Sequence, residues 1–269
     1  MPLITLCGGA YCRAPEIVSG LSARTGYPEA DDTLLIKAVR DRFGIAEDKL
    51  RRILTADETG FNRLVHEKEF CIARFKQVLA DHLLEADDLL LCGFAGQLVP
   101  RRAPRTLRIC LMADMSRRVA LAARDRKTSE QAALQWIHLK DDDFAAWQHH
   151  FHPLDDPLDA SFFDLVLHTD EMGDEMILDL AEAALARKQK EPEDEYRRAV
   201  ADFQTAANAE ARLYGAGHDV HAEAENGAVT LLPRRKVLLR DRLERELIRL
   251  AEPTPGVSSV RVVFPDQEI

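Results

Sequence analysis

Short apolar runs alternate with longer stretches of helical periodicity through the first two thirds of the chain. Four apolar runs predict buried strands, because a strand covered on both faces carries few polar residues. They span 2–7, 89–92, 107–112 and 165–167. The stretches with helical spacing predict helices over 16–25, 32–43, 61–84, 116–124, 129–144 and 174–186. This alternation indicates an α/β fold with a parallel sheet flanked by helices.

The pattern changes after the charged stretch KQKEPEDE at 188–195, which predicts a linker between two domains, 1–187 and 196–269. A predicted helix over 196–213 leads into two alternating runs. These runs meet at Asn226-Gly227, a strong hairpin signal. A helix over 236–251 and a strand in PGVSSVRVVF follow. The second domain is therefore expected to be a small α+β unit of order α-β-β-α-β.

Composition narrows the functional classes. The formal net charge of -10 argues against a non-specific nucleic-acid binder, which needs a basic face. No apolar stretch reaches the roughly 18 residues of a membrane span, and the N-terminus shows no signal-peptide pattern. The five cysteines are scattered singly, which is typical of reduced thiols. These features lead us to expect a cytoplasmic protein without a transmembrane segment.

The first strand runs into a glycine-containing loop, LCGGAYCRAPEIV at 6–18, and then into a helix. Parallel sheets bind ligands at the carboxyl ends of their strands, so this loop is the first candidate site. A phosphate loop of the type G-x-x-x-x-G-K-[ST] ends in Gly, Lys and Ser or Thr. Ala14, Pro15 and Glu16 stand at those positions. The loop is either a modified anion site or an ordinary strand–turn–helix junction.

Residues 1–187 resemble the cytidylate kinase-like family of P-loop nucleoside-monophosphate kinases. The resemblance lies in LITL, TGYPEADDTLL, LLLCGFAGQLV, LRICLMADMSRRVA, KDDD and FFDLVLHTDEMG, which follow in the family's order. It implies a P-loop kinase-like sheet and phosphoryl transfer from ATP, with Mg²⁺, to CMP or a similar acceptor. Residues 196–265 resemble a BON domain through ENGAVTLL and PGVSSVRVVF. BON domains are generally linked to phospholipid or envelope binding.

The resemblance assigns the donor phosphates to the first loop. Gly8, Gly9 and Ala10 would present backbone N–H groups, and Arg13 would supply a cation. The loop lacks the Ser or Thr expected to hold magnesium. The acceptor segment implies a role for Asp31, which alternatively caps the following helix.

The remaining residues that the resemblance implies lie beyond the third predicted strand. Arg118 matches the arginine of a D-x-x-x-R segment that begins at Asp114, although a solvated helix face is the alternative. Lys140, Asp141 and Asp142 remain from the family's lid, whereas 144–146 (FAA) stand where arginines are expected. The histidines of WQHHFHP, at 149, 150 and 152, are expected to be polar surface on a mobile loop rather than a metal site.

Changes at both the loop and the lid favour a degenerate kinase. It would bind a nucleotide or related phosphate ligand and signal through its BON-like domain. One alternative is an active kinase in which Arg13, Lys140 and Arg118 carry the phosphates, with ATP and Mg²⁺. The other is a ligand-free structural or assembly protein. Self-association through the C-terminal domain is a further expectation.

Overall fold

The computed structural model describes residues 2–54, 67–86, 88–151, 159–234 and 239–264. The predicted fold class is confirmed: a five-stranded parallel sheet flanked by helices is followed by a second, three-stranded sheet. The first sheet has the order β2-β3-β1-β4-β5, and every pair in it is parallel. Its strands are β1 (Leu3–Gly8), β2 (Glu29–Asp31), β3 (Leu89–Cys92), β4 (Thr106–Met112) and β5 (Leu165–His168).

The first segment of the chain runs to residue 188. Its described residues form seven α-helices and two short 3-10 helices. The α-helices are α1 (Ala14–Thr25), α2 (Asp32–Phe43), α3 (Glu47–Ile53), α4 (Glu67–Glu85), α5 (Met115–Arg126), α6 (Glu130–Phe151) and α7 (Asp174–Lys188). The 3-10 helices span Phe94–Leu98 and Ala160–Phe162. Two hydrophobic clusters cover the two faces of the sheet, one around Phe75 and one around Ile17. The first turns of the predicted helix 61–84, at 61–66, lie outside the described residues.

The sixth helix is longer than predicted. The prediction that it ends at 144 and gives way to a mobile loop was wrong, because α6 continues to Phe151. Phe144 and Trp147 are buried, and Trp147 Nε1 donates a hydrogen bond of 2.9 Å to the carbonyl of Phe94. Since Phe144, Trp147 and Phe151 recur at helical spacing, their packing extends the helix by two turns. His149 and His150 therefore lie on a helix, and His152 lies outside the described residues.

The second segment has the predicted element order. It contains α8 (Glu193–Gly215), β6 (Val220–Glu225), β7 (Ala228–Pro233), α9 (Arg240–Ala251) and β8 (Ser259–Val262). The hairpin turn at Asn226-Gly227 is confirmed, with φ of 52° and 78° at these two residues. Positive φ at both positions is what a type I′ turn requires. Strand β8 returns parallel to β7.

The first turns of α8 pack against the first segment. Tyr196 and Val200 are buried in the same hydrophobic cluster as Phe75 of α4. The segment that connects α7 to α8 spans 189–192, within the predicted linker. Residues 193–195 already belong to α8. The boundaries of two separate domains, and the BON resemblance of the second, stay predictions.

Candidate phosphate-binding site

The carboxyl ends of the parallel strands bring the candidate residues to one edge of the sheet. Strand β1 ends at Gly8, β3 at Cys92, β4 at Met112 and β5 at His168. The loops that follow these strands therefore share that edge. This is the edge at which α/β sheets bind ligands.

The loop after β1 is held tightly against its neighbours at both glycines. A Cβ on Gly8 would lie 2.4 Å from the carbonyl oxygen of Leu111 in β4. A Cβ on Gly9 would lie 2.8 Å from Nη2 of Arg118. Tyr11 and Arg13 adopt positive φ values of 62° and 59°. Such conformations cost non-glycine residues free energy and are concentrated at functional sites.

Arg118 is the residue most closely engaged with this loop. Its Nε donates to the carbonyl oxygen of Ala10 at 2.7 Å, and its Nη2 lies 2.7 Å from both carboxylate oxygens of Asp141. The backbone N–H of Ala10 also donates to Oδ1 of Asp141, at 3.1 Å. Ala10 and Arg118, each predicted as a site residue, therefore lie in contact. A protein carboxylate already accepts the hydrogen bonds that an anionic ligand would use.

Arg13 lies at the start of α1 and pairs with Asp174, the first residue of α7, at 2.7 Å. A cavity of about 550 Å³ adjoins it on the loop side. Arg117 and Arg124, both exposed on α5, also line this cavity. Three arginines thus line one space beside the loop. Sequence reasoning missed Arg117 and Arg124, although both lie in SRRVALAAR immediately around Arg118.

Asp170 adds an acceptor to the same cavity. Its Oδ2 accepts a hydrogen bond of 3.0 Å from the backbone N–H of Asp114. Its Oδ1 is buried and has no hydrogen-bond donor among the described residues. Phosphate oxygens of a ligand in this cavity would complement the arginines.

Tyr11 does not block this space. Its ring packs edge-on against Trp136 with the centroids 5.5 Å apart, and its hydroxyl donates to Oδ2 of Asp125 at 2.9 Å. A second cavity, of about 510 Å³, lies between the loop and this aromatic pair. Pro15 occupies the first turn of α1 and is exposed.

The other predicted site residues have partners outside the loop. Asp114 caps α5, and hydrogen bonds from the side chain and backbone of Ser116 lower its pKa. Nζ of Lys140 lies 2.7 Å from Asp143, on the same helix. Asp31 accepts from the backbone N–H of Leu34 and caps α2. The catalytic and binding roles assigned to these residues stay predictions.

Asp32, next to Asp31, is held at the same sheet edge. Its two carboxylate oxygens accept hydrogen bonds from the backbone N–H groups of Phe94 and Ala95, at 2.8 and 2.9 Å. Burial raises its pKa to about 6, although these N–H groups lower it. Gly93, with φ of 118°, passes so close that a Cβ there would meet Oδ2 of Asp32 at 2.2 Å. A glycine directly after a buried strand was the one sequence signal for this contact.

The magnesium ion used by P-loop kinases does not fit the residues present. The position of the Ser or Thr ligand holds Glu16, which is exposed. Among the described residues, no group of three or more His, Cys, Asp or Glu side chains is arranged to hold a metal ion. In the same part of the chain, no helix is long and apolar enough to cross a membrane.

Comparison with known proteins agrees with the architecture. The model of the cytidylate kinase-like family matches residues 3–171. An uncharacterized protein from Eubacterium ventriosum ATCC 27560 aligns with a TM-score of 0.53 and 12% identity, over 69% of this chain and 99% of that one. A shikimate kinase from Bacteroides thetaiotaomicron gives 0.40 and 11%, over 70% and 98% of the two chains. A gluconokinase from Sinorhizobium meliloti 1021 gives 0.37 and 15%, over 69% and 92%. No protein with a curated description matches.

Proposed function

The chain belongs to the cytidylate kinase-like family, and on that premise we propose that it binds a nucleotide or related phosphate ligand without transferring its phosphoryl group. The ligand phosphates lie in the cavity of about 550 Å³ that Arg13, Arg117 and Arg124 line. The presence of three arginines around one cavity beside the loop is the observation that carries the proposal. Guanidinium groups bind phosphate through charge-assisted, frequently bidentate hydrogen bonds.

The absence of transfer follows from the composition of the loop. Phosphoryl transfer depends on positioned cations around the transferred group. Pro15 stands where the phosphate-loop lysine is expected and Glu16 where the magnesium ligand is expected. Removing one preorganised electrostatic contact costs on the order of 3 kcal/mol at a transition state. Two such losses at one site would leave binding as the stronger remaining activity.

The second segment is the proposed route by which binding is reported. The helix α8 packs into the hydrophobic cluster of the first segment through Tyr196 and Val200. A rearrangement of the first segment would therefore reach α8 directly. Signalling through a BON-like unit belongs to the same proposal.

Calorimetry with ATP, CMP and inorganic phosphate, with and without Mg²⁺, tests the binding step. We expect heat on mixing with a nucleotide and no ADP production. Single Arg117→Ala and Arg124→Ala variants should each weaken binding about tenfold, since each removes a charge-assisted contact. Arg242→Ala is the matched control, because Arg242 is an exposed arginine on α9.

Three outcomes would change the proposal. ADP production would favour an active nucleoside-monophosphate kinase. No heat on mixing with any of the nucleotides would favour a structural protein. Equal weakening by Arg242→Ala would show that only net charge matters, and the assigned cavity would be wrong.

A further inference from the structure

The anion position of the loop is filled by one of the chain's own carboxylates. Asp141 of α6 accepts the backbone N–H of Ala10 and lies 2.7 Å from Nη2 of Arg118 through both oxygens. A loop N–H together with an arginine is a donor set that phosphate also uses. The Asp141 carboxylate therefore occupies the place of a phosphate group.

The two charged partners differ in their freedom to move. The Arg118 side chain is 9% exposed, whereas that of Asp141 is 30% exposed. Arg118 is also fixed by its hydrogen bond to the carbonyl oxygen of Ala10. A rotation of Asp141 toward solvent would free the Ala10 N–H and the guanidinium group, while Arg118 stays in place.

We propose that Asp141 is an internal competitor that holds the loop closed to phosphate. This inference rests on the proposed function and names the regulation of the loop that adjoins the proposed cavity. A carboxylate carries one charge and two oxygens, whereas a phosphate group carries more charge and a third oxygen. A triphosphate extends further, from the loop to the arginines of the neighbouring cavity, so it binds more tightly than a single phosphate, while the cost of displacing Asp141 is the same for both.

The competition is intramolecular. Asp141 is held beside the loop by α6, so its effective concentration there is high. The apparent affinity of any ligand is reduced by the fraction of molecules in which Asp141 has moved away. That factor is the same for every ligand that takes the place of Asp141. Removing the carboxylate should therefore tighten the binding of inorganic phosphate and of triphosphate by similar factors.

The test compares inorganic phosphate and inorganic triphosphate by calorimetry on the wild type, Asp141→Asn and Asp141→Ala. We expect both variants to bind phosphate and triphosphate about tenfold more tightly or better, with the ratio of the two affinities nearly unchanged. Asp142→Asn is the matched control, since Asp142 is the exposed neighbour on the same helix. It should leave both affinities within about twofold.

A measurement on the wild type covers the case in which the variants fold poorly. The carboxyl carbon of Asp141 and the amide of Ala10 are followed by NMR during triphosphate addition. Displacement predicts that both signals shift together at saturating ligand. An unchanged carboxyl signal in a protein that binds triphosphate would overturn the inference.

Failure of this inference is distinct from failure of the proposed function. If the wild type binds nucleotide and triphosphate while Asp141→Asn binds phosphate no more tightly, Asp141 is structural and the binding function stands. If neither the wild type nor the Asp141 variants bind any phosphate compound, the function fails and the inference fails with it. Binding by the Asp141 variants alone would support the competitor and show a site closed in the wild type.

Discussion

Nζ of Lys76 lies 3.0 Å from Oε2 of Glu210, so an ion pair joins α4 of the first segment to α8 of the second. Both side chains are nearly inaccessible, at 10% and 3% exposed. Glu210 also accepts the backbone N–H of Ala222 at 3.0 Å, and Nδ1 of His221 lies 2.5 Å from its Oε1. The two segments are therefore joined by a hydrogen-bonded charge cluster as well as by apolar packing.

Replacing Lys76 by Met should lower the free energy of unfolding by about 3–5 kcal/mol, because it leaves the buried Glu210 carboxylate without its principal cation. Urea denaturation measures this loss. Lys49→Met is the control, since Lys49 pairs with Glu67 at 2.8 Å but both side chains are about 40% exposed. That variant should change stability by about 1 kcal/mol or less. Equal effects of the two substitutions would contradict the importance of the Lys76–Glu210 pair.

The same cluster predicts a loss of stability in acid. Burial alone raises the pKa of Glu210, but the Lys76 ammonium, His221 and the Ala222 N–H together lower it to about 2. An unfolded glutamate titrates near 4.3. The folded state thus holds fewer protons than the unfolded chain between these values. The stabilisation is fully present above about pH 4.3 and is lost as the pH falls toward 2.

The acid prediction is checked by urea denaturation between pH 2 and 5. Glu210→Gln should flatten the pH dependence of the free energy of unfolding in this range. Glu223→Gln, which changes a mostly exposed carboxylate on the adjacent strand, should not. An unchanged slope in Glu210→Gln would show that other carboxylates dominate acid unfolding.

The sequence predicted the elements well and the site only in part. Apolar runs such as 89–92 and the Asn226-Gly227 turn are local signals, and the structure confirms both. The α6 contact between Asp141 and Ala10 joins residues 131 positions apart. No local pattern encodes a pairing at that distance. The family resemblance pointed to the loop, Arg118 and Asp141. It did not show that Arg118 and Asp141 bind each other and the backbone of Ala10.

The two glycines of the loop should respond differently to alanine. A Cβ at Gly8 would meet the backbone oxygen of Leu111 at 2.4 Å, and a neighbouring strand cannot move away cheaply. A Cβ at Gly9 would meet only the tip of the Arg118 side chain, at 2.8 Å. We therefore expect Gly8→Ala to cost about 3 kcal/mol and Gly9→Ala less than about 2 kcal/mol. Thermal and urea unfolding provide the comparison.

Gly9→Ala should also weaken phosphate binding, because the displaced guanidinium group loses its place beside the loop. Gly173→Ala serves as the control, since nothing lies within 4 Å of a Cβ there. If Gly8→Ala proves as mild as Gly173→Ala, the close approach of β1 to β4 at Leu111 does not constrain the loop.

Asp32 should give the protein a second pH dependence, opposite in sign to that of Glu210. Burial raises its pKa to about 6, above the value of 3.8 for a free aspartate. Between these two values the folded state retains a proton that the unfolded chain has released, so stability falls as the pH rises from about 4 to about 6. Asp32→Asn should remove this slope in urea titrations across that range. Glu29→Gln, which changes an exposed carboxylate on the preceding strand β2, should keep it. A slope that survives in Asp32→Asn would mean that another group titrates there and would contradict its assignment to Asp32.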